Sequence, residues 1–242
     1  LLAVVAMLVV TATVWAATNQ VSSVNVAGYL KLTVQRGLNQ IRNDFICLAG
    51  DPTTQNVLGD QLPVNTRVYL WRPGVGGGYS QEIYEEKWSG GFPPVYLGNE
   101  WNPGTNHLDP GRGFWLQIPN NAPQPTYTLN LLGEVPSNPT STIPITYGLN
   151  MIGYSYPVDV VLSNLDLTAK AAVGDRIYKW NGSGYDQNIY QEIWSGGFPP
   201  VLLGTDWAVP SMQIKVGQGL WYQRNTAGTV NWVEDIPYDL GN

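Results

Sequence analysis

The chain is poor in the side chains that most chemistry needs. Across 242 residues it holds one cysteine and one histidine, and only 12% of its residues are charged. A single thiol, Cys47, can neither close an intramolecular disulfide nor build a cysteine zinc site. Its neighbours Phe45, Ile46 and Leu48 predict a buried, unreactive thiol. A Ser-His-Asp or Cys-His centre needs an imidazole base, and His107 is the only one. It lies in Asn106-His107-Leu108-Asp109-Pro110, which reads as a solvated surface loop. Histidine metal sites fail on the same count. Twelve Lys and Arg against 18 Asp and Glu leave a net charge of −6 with no basic cluster. That excludes the electrostatic footprint of a nucleic-acid or anionic-membrane binder. No run of alternating oxygen ligands suits calcium, and the glycines of 74–78 lack the Lys and helix of a phosphate loop. No metal, no cofactor and no catalytic residue is therefore expected, and the chain reads as non-enzymatic.

What the chain does have is aromatics, turns and repetition. It holds 10 Trp and 14 Tyr against 4 Phe, with 27 Gly and 18 Pro. Trp88-Ser89-Gly90-Gly91-Phe92-Pro93-Pro94-Val95 returns letter for letter as Trp194-Ser195-Gly196-Gly197-Phe198-Pro199-Pro200-Val201. The same spacing links Gly111-Arg112-Gly113-Phe114-Trp115 to Gly217-Gln218-Gly219-Leu220-Trp221, Trp101 to Trp207, and Tyr79 to Tyr185. Upstream, Arg67-Val68-Tyr69-Leu70-Trp71 answers to Arg176-Ile177-Tyr178-Lys179-Trp180. Gly37-Leu38-Asn39-Gln40-Ile41 answers to Gly148-Leu149-Asn150-Met151-Ile152. The unit is roughly a hundred residues, the size of a domain and too long for a solenoid repeat.

Alternating apolar residues and frequent turn signals predict an all-β fold. The expectation is two tandem, similar antiparallel domains, β-sandwich or barrel-like, with at most short helical turns. They span 21–137 and 138–242, touch one another, and follow a signal peptide over 1–17. The apolar run Leu1–Val14 and the Val14-Trp15-Ala16 ending carry that last reading. Asp51-Pro52 predicts a capped helical turn through Leu58, and 160–172 a longer one. Arg67–Trp71 and Tyr79–Tyr84 read as a hairpin whose Trp71 and Tyr79 pair across the strands, as do Trp180 and Tyr185. Period two puts Tyr69 with Trp71 on one face and Val68 with Leu70 on the other. Lys179 at the Leu70 position suggests that the Val68 face is wet there and the Trp/Tyr face packed. The Gly-Gly and Pro-Pro pairs preclude regular structure between Trp88 and Val95, where the rings of Trp88, Phe92, Pro93 and Pro94 are expected to stack.

The order Gly-Leu-Asn-x-Ile, Arg-Ile-Tyr-Lys-Trp-Asn-Gly-Ser-Gly-Tyr, Gly-x-Gly-Phe/Leu-Trp and Thr-Leu-Asn-Leu resembles a module found in many secreted bacterial surface proteins. The resemblance covers most of residues 21–237 and implies an extracellular all-β repeat of undefined activity. It transfers no catalytic residue.

Three functions fit. The first is a secreted, non-catalytic structural or adhesive protein of the cell surface, with other surface proteins or polysaccharide as partners and no membrane span in the mature chain. The second is a carbohydrate-binding protein, whose ring platforms would be Trp71, Tyr79, Trp180 and Tyr185, followed by Trp101 and Trp207. The third is a glycoside hydrolase. It would need Glu86 or Glu192 within about 5–9.5 Å of a second carboxyl in a cleft. Charged residues are mostly exposed or paired, which favours reading these two glutamates as surface or hairpin-end carboxylates, or as partners of Arg67 and Arg176.

Overall fold

Runs of alternating residues, cut by Gly, Pro and Asn, fold as antiparallel strands joined by short loops. The computed structural model describes residues 26–74 and 76–240. The expected signal peptide lies outside the described residues. The fold is all-β as expected, 53% strand and 6% helix, and among the described residues no sheet closes into a barrel. Among the described residues, no helix is long and apolar enough to cross a membrane.

The first half runs β1 (Ala27–Gln35), β2 (Gly37–Arg42), α1 (Thr54–Leu58), β3 (Arg67–Arg72), β4 (Gly78–Trp88), β5 (Tyr96–Asn102), β6 (Gly113–Ile118) and β7 (Thr126–Glu134). The second runs β8 (Thr140–Ile152), β9 (Val160–Val161), α2 (Asp166–Lys170), β10 (Arg176–Trp180), β11 (Tyr185–Trp194), β12 (Leu202–Trp207), β13 (Gln213–Ile214) and β14 (Leu220–Asp235). Each half builds a five-stranded sheet, in the order β2-β6-β3-β4-β5 and β8-β14-β10-β11-β12. The two orders match strand for strand. In the first half β1 and β7 form a separate two-stranded sheet. In the second, β8 and β14 carry the corresponding pairing as continuous strands, with a register shift between Arg224 and Thr229.

Each half has its own core. Val68, Leu70, Phe114, Leu116, Leu129 and Trp101 fill the first; Ile145, Ile177, Leu220, Tyr222, Trp207 and Trp232 fill the second. Fully burying each Leu or Phe contributes roughly 1.5–3 kcal/mol. Both hairpins form with the expected cross-strand pairs, Trp71 opposite Tyr79 and Trp180 opposite Tyr185.

Three local expectations need correction. Val68 and Leu70 are 0% and 1% exposed, so that face is dry core. Lys179 is half-buried, as suits a long stem that lies along apolar surface while its head reaches water. The Thr53 hydroxyl, not Asp51, caps α1, accepting from the Asn56 N–H at 3.3 Å. Cys47 is half-buried rather than buried, because Leu48 beside it turns to solvent.

Candidate functional site

The repeated motifs explain themselves where the two halves meet. Gly37 and Gly148 sit at φ +84° and +88°, in the left-handed region that glycine enters without a Cβ penalty. Two residues on, Asn39 locks the kink: its Oδ1 accepts from Gln35 N at 2.9 Å and its Nδ2 donates to Gln35 O at 2.8 Å. Asn150 does the same with Thr146, at 2.9 and 2.7 Å. The kink presents the intervening leucine carbonyl to the opposite half. Trp180 Nε1 donates to Leu38 O at 2.9 Å, and Trp71 Nε1 to Leu149 O at 2.7 Å.

The Gly-x-Gly motif completes the seam. Arg42 N donates to Gly217 O and Gly153 N to Gly111 O, both at 3.0 Å. Bridges pair Ile41 with Gln218 and Ile152 with Arg112. Each of these contacts from first half to second has its reciprocal from second to first, the pattern of an isologous interface. Gly113 and Gly219 allow the approach, since a Cβ there would lie 2.7 Å from Ile152 O and 2.6 Å from Ile41 O.

Period two lifts the Trp/Tyr face of each hairpin off its own core and onto this seam. Trp71 meets Trp221 edge to face with centroids 5.5 Å apart, and Trp180 meets Trp115 likewise at 5.5 Å. Such pairs add roughly 0.5–1.5 kcal/mol beyond area burial. Both faces of each hairpin are therefore packed, one on its own half and one on the other. Four of the six expected ring platforms come together here. Trp71 and Trp180 are half-buried with their indole N–H groups already used. Tyr79 and Tyr185 keep 49% and 46% of their surface exposed. Burial lifts the Tyr79 hydroxyl pKa above the usual phenol value. Trp101 and Trp207, at 4% and 1% exposure, are core residues with no ring face left for a ligand. Trp101 donates to Gly59 O at 3.1 Å and Trp207 to Thr168 Oγ1 at 3.0 Å.

A cavity of about 380 Å³ opens on the seam between Tyr79 of the first half and Leu149, Tyr178, Tyr185, Trp221 and Gln223 of the second. The Tyr178 hydroxyl donates to Gln223 Oε1 at 2.7 Å.

A second region escapes local reasoning altogether. The letter-identical loops are the tips of hairpins β4–β5 and β11–β12, and their rings do not stack as expected. Phe92 and Phe198 are each 100% exposed. The tip is nonetheless built. Ser89 N donates to Val95 O and Val95 N to Ser89 Oγ, both at 2.8 Å. Ser195 and Val201 reproduce both bonds at 2.8 Å. Glu86 Oε2 accepts from Trp88 Nε1, and Glu192 Oε2 from Trp194 Nε1, each at 3.1 Å. These glutamates thus hold indoles and not Arg67 or Arg176. Around the phenyl rings Trp88, Val95, Leu97, Trp194, Val201 and Leu203 are also exposed.

A signal for these tips existed in the sequence. Buried positions drift between the halves, Phe114 to Leu220 and Leu116 to Tyr222, while the eight tip residues, all exposed except half-buried Ser89 and Ser195, do not change. Surface loops tolerate change when folding is the sole constraint. The bonds of Trp88, Ser89 and Val95 account for their letters, and no internal contact accounts for Phe92 or Phe198.

Among the described residues no cluster of His, Cys, Asp and Glu suits a metal ion. His107 Nε2 lies 3.1 Å from Asp51 Oδ1, both more than half exposed. The fully buried charges are structural. Arg42 Nη2 reaches Asp44 Oδ1 at 2.7 Å and donates to Tyr156 O of the second half at 3.3 Å. Burial pushes the Asp44 carboxyl up to about 6, against the pull of Arg42. Asp175 accepts from the Tyr222 hydroxyl at 2.6 Å and from Asn225 N at 2.8 Å. No protein-family model, no curated protein and no solved structure matches the chain.

Proposed function

We propose that the chain is a secreted, non-catalytic adhesive protein. Its two copies of one β domain, 21–137 and 138–242, would each present the same contact loop to a partner outside the cytoplasm. One observation carries the reading: Phe92 and Phe198 stand fully exposed at the tips of letter-identical loops. A soluble monomer gains nothing from an uncovered phenyl ring, and exposed apolar patches mark interaction sites. A ring held out on a hydrogen-bonded loop is the kind of rigid aromatic anchor that fills a pocket in a protein partner. Two tips on one body add avidity when both engage. The apolar run Leu1–Val14 and the resemblance to modules of secreted surface proteins support the same location.

The test is retention of the labelled full-length chain on cell-surface protein fractions, with the wild type against Phe92→Ala, Phe198→Ala and the double variant. Losing one tip should weaken retention by about tenfold, and losing both should weaken it further. A double variant retained as well as the wild type removes the tips from the function.

A further inference from the structure

The cavity on the seam has a lining that the tips lack. Its six residues are Tyr79, Leu149, Tyr178, Tyr185, Trp221 and Gln223. None carries a formal charge. At about 380 Å³ the space falls in the range of small-molecule sites. Four of the six are aromatic, and Tyr79 and Tyr185 keep about half their surface in solvent. The two rings come from opposite halves, so the groove exists only in the assembled chain.

The polar groups are set by the fold. Gln223 faces Trp221 across one strand residue, which puts both on the seam face of β14. Its Oε1 is held by the Tyr178 hydroxyl at 2.7 Å. That bond fixes the amide and turns its two N–H donors away from Tyr178. The Tyr79 and Tyr185 hydroxyls can each donate or accept. None of the six offers a counter-ion to a charged ligand, whose desolvation against them would be costly. A purely apolar ligand would leave the Gln223 donors unpaired. The lining suits a ligand with apolar faces, a rim of hydroxyl groups and no charge.

We infer that this groove binds a neutral saccharide, one sugar ring against Tyr79, Tyr185 and Trp221 with its hydroxyls on Gln223 and the tyrosines. The site is separate from the hairpin tips and does not depend on them. A saccharide bound there would touch both halves and add to the seam that holds them.

The experiment titrates the full-length chain with neutral β-1,4-linked and α-1,4-linked glucose hexasaccharides, a uronic acid hexasaccharide and a proline-rich peptide. Indole fluorescence and calorimetry are read together. At least one neutral saccharide should bind, and the uronic acid oligomer should bind about tenfold more weakly or not at all. Tyr79→Ala and Tyr185→Ala should each weaken binding by about tenfold, while Tyr185→Phe, which keeps the ring, stays within about threefold. Gln223→Ala, outside both cores, tests the polar contact should a tyrosine variant fail to fold. The Phe92→Ala and Phe198→Ala double variant should bind the sugar as the wild type does. The inference is overturned if neither neutral saccharide binds, if the uronic acid oligomer or the peptide binds better, or if the folded groove variants keep wild-type affinity. None of these results bears on the tips.

Discussion

The seam and the hairpin tips repeat their letters for opposite reasons. At the seam, Gly-Leu-Asn and Gly-x-Gly recur because the contact is reciprocal: a kink in one half receives an indole from the other, and the converse. Here the repetition is a packing constraint, satisfied inside the molecule. At the tips nothing inside the molecule is satisfied by Phe92 or Phe198, which touch solvent alone. Repeated letters therefore do not by themselves distinguish shape from contact; burial does. The difference also appears in tolerance. The seam admits one large asymmetry, Arg42 standing where the second half has Gly153, and a Cβ on Gly153 would lie 2.4 Å from Arg42 Cδ. The tips admit none.

The largest effect is expected from breaking the seam at that asymmetry. Arg42→Ala leaves Asp44 as a lone buried carboxylate and should cost about 3–5 kcal/mol at neutral pH. Asp44 also sets a pH dependence. Its folded pKa is raised to about 6 from 3.8, chiefly by burial. The folded state therefore holds that proton longer than the unfolded chain. Stability from this group is greatest below the unfolded value and falls as pH rises from about 4 to about 6, by up to roughly 3 kcal/mol. Above that window it is flat. Burial raises Glu234 as well, but that group titrates in wild type and variant alike. Urea midpoints of wild type and Asp44→Asn across pH 4–7 should converge or diverge by this amount; parallel curves would show that Asp44 does not titrate in the window.

A smaller effect sharpens the contrast between the regions with one substitution type. Gly113→Ala and Gly219→Ala place a Cβ within 2.7 and 2.6 Å of a carbonyl oxygen across the seam. The obstacle is backbone, so the halves must part, at about 1–3 kcal/mol. Gly90→Ala and Gly196→Ala at the tips meet nothing within 4 Å and should stay within about 0.5 kcal/mol. Thermal unfolding of the four variants decides it. Equal shifts at seam and tip would mean that the seam is looser than its geometry.

Much of this contrast was legible in the residues, and its limits have physical causes. Alternation placed Tyr69 with Trp71 and Val68 with Leu70, and the hairpins formed on those faces. Alternation says which side chains share a face and not what covers it, so a packed Trp/Tyr face carries no sign that the other half is what covers it. Lys179 misled for a related reason: a half-buried lysine reports where its ammonium ends, not whether its stem lies on apolar surface. Gly-Leu-Asn does not announce the seam, because a kink that serves a partner strand far along the chain has no local signature. Glu86 and Trp88, two apart on one strand, share a face, and that signal was available. Phe92 was not. Local composition shows a loop of rings without showing which of them touch.

The smallest effect on stability is expected where the effect on function should be greatest. Phe92→Ala and Phe198→Ala should leave the unfolding midpoint within about 0.5 kcal/mol of wild type, since no contact is lost. Trp88→Ala is the internal control. Its ring lies 5.3 Å from that of Tyr96 and its N–H is held by Glu86, so it should cost roughly 0.5–1.5 kcal/mol. Trp194 keeps the glutamate but faces Leu202 in place of the tyrosine, and its loss should cost less. A graded series, with the phenyl rings at zero, separates residues that build the loop from the residue the loop displays. Were either phenylalanine to cost more than about 1 kcal/mol, its ring would be packed in solution. The identity of the two loops would then be a folding requirement, like that of the seam, and the argument for a partner at the tips would lose its premise.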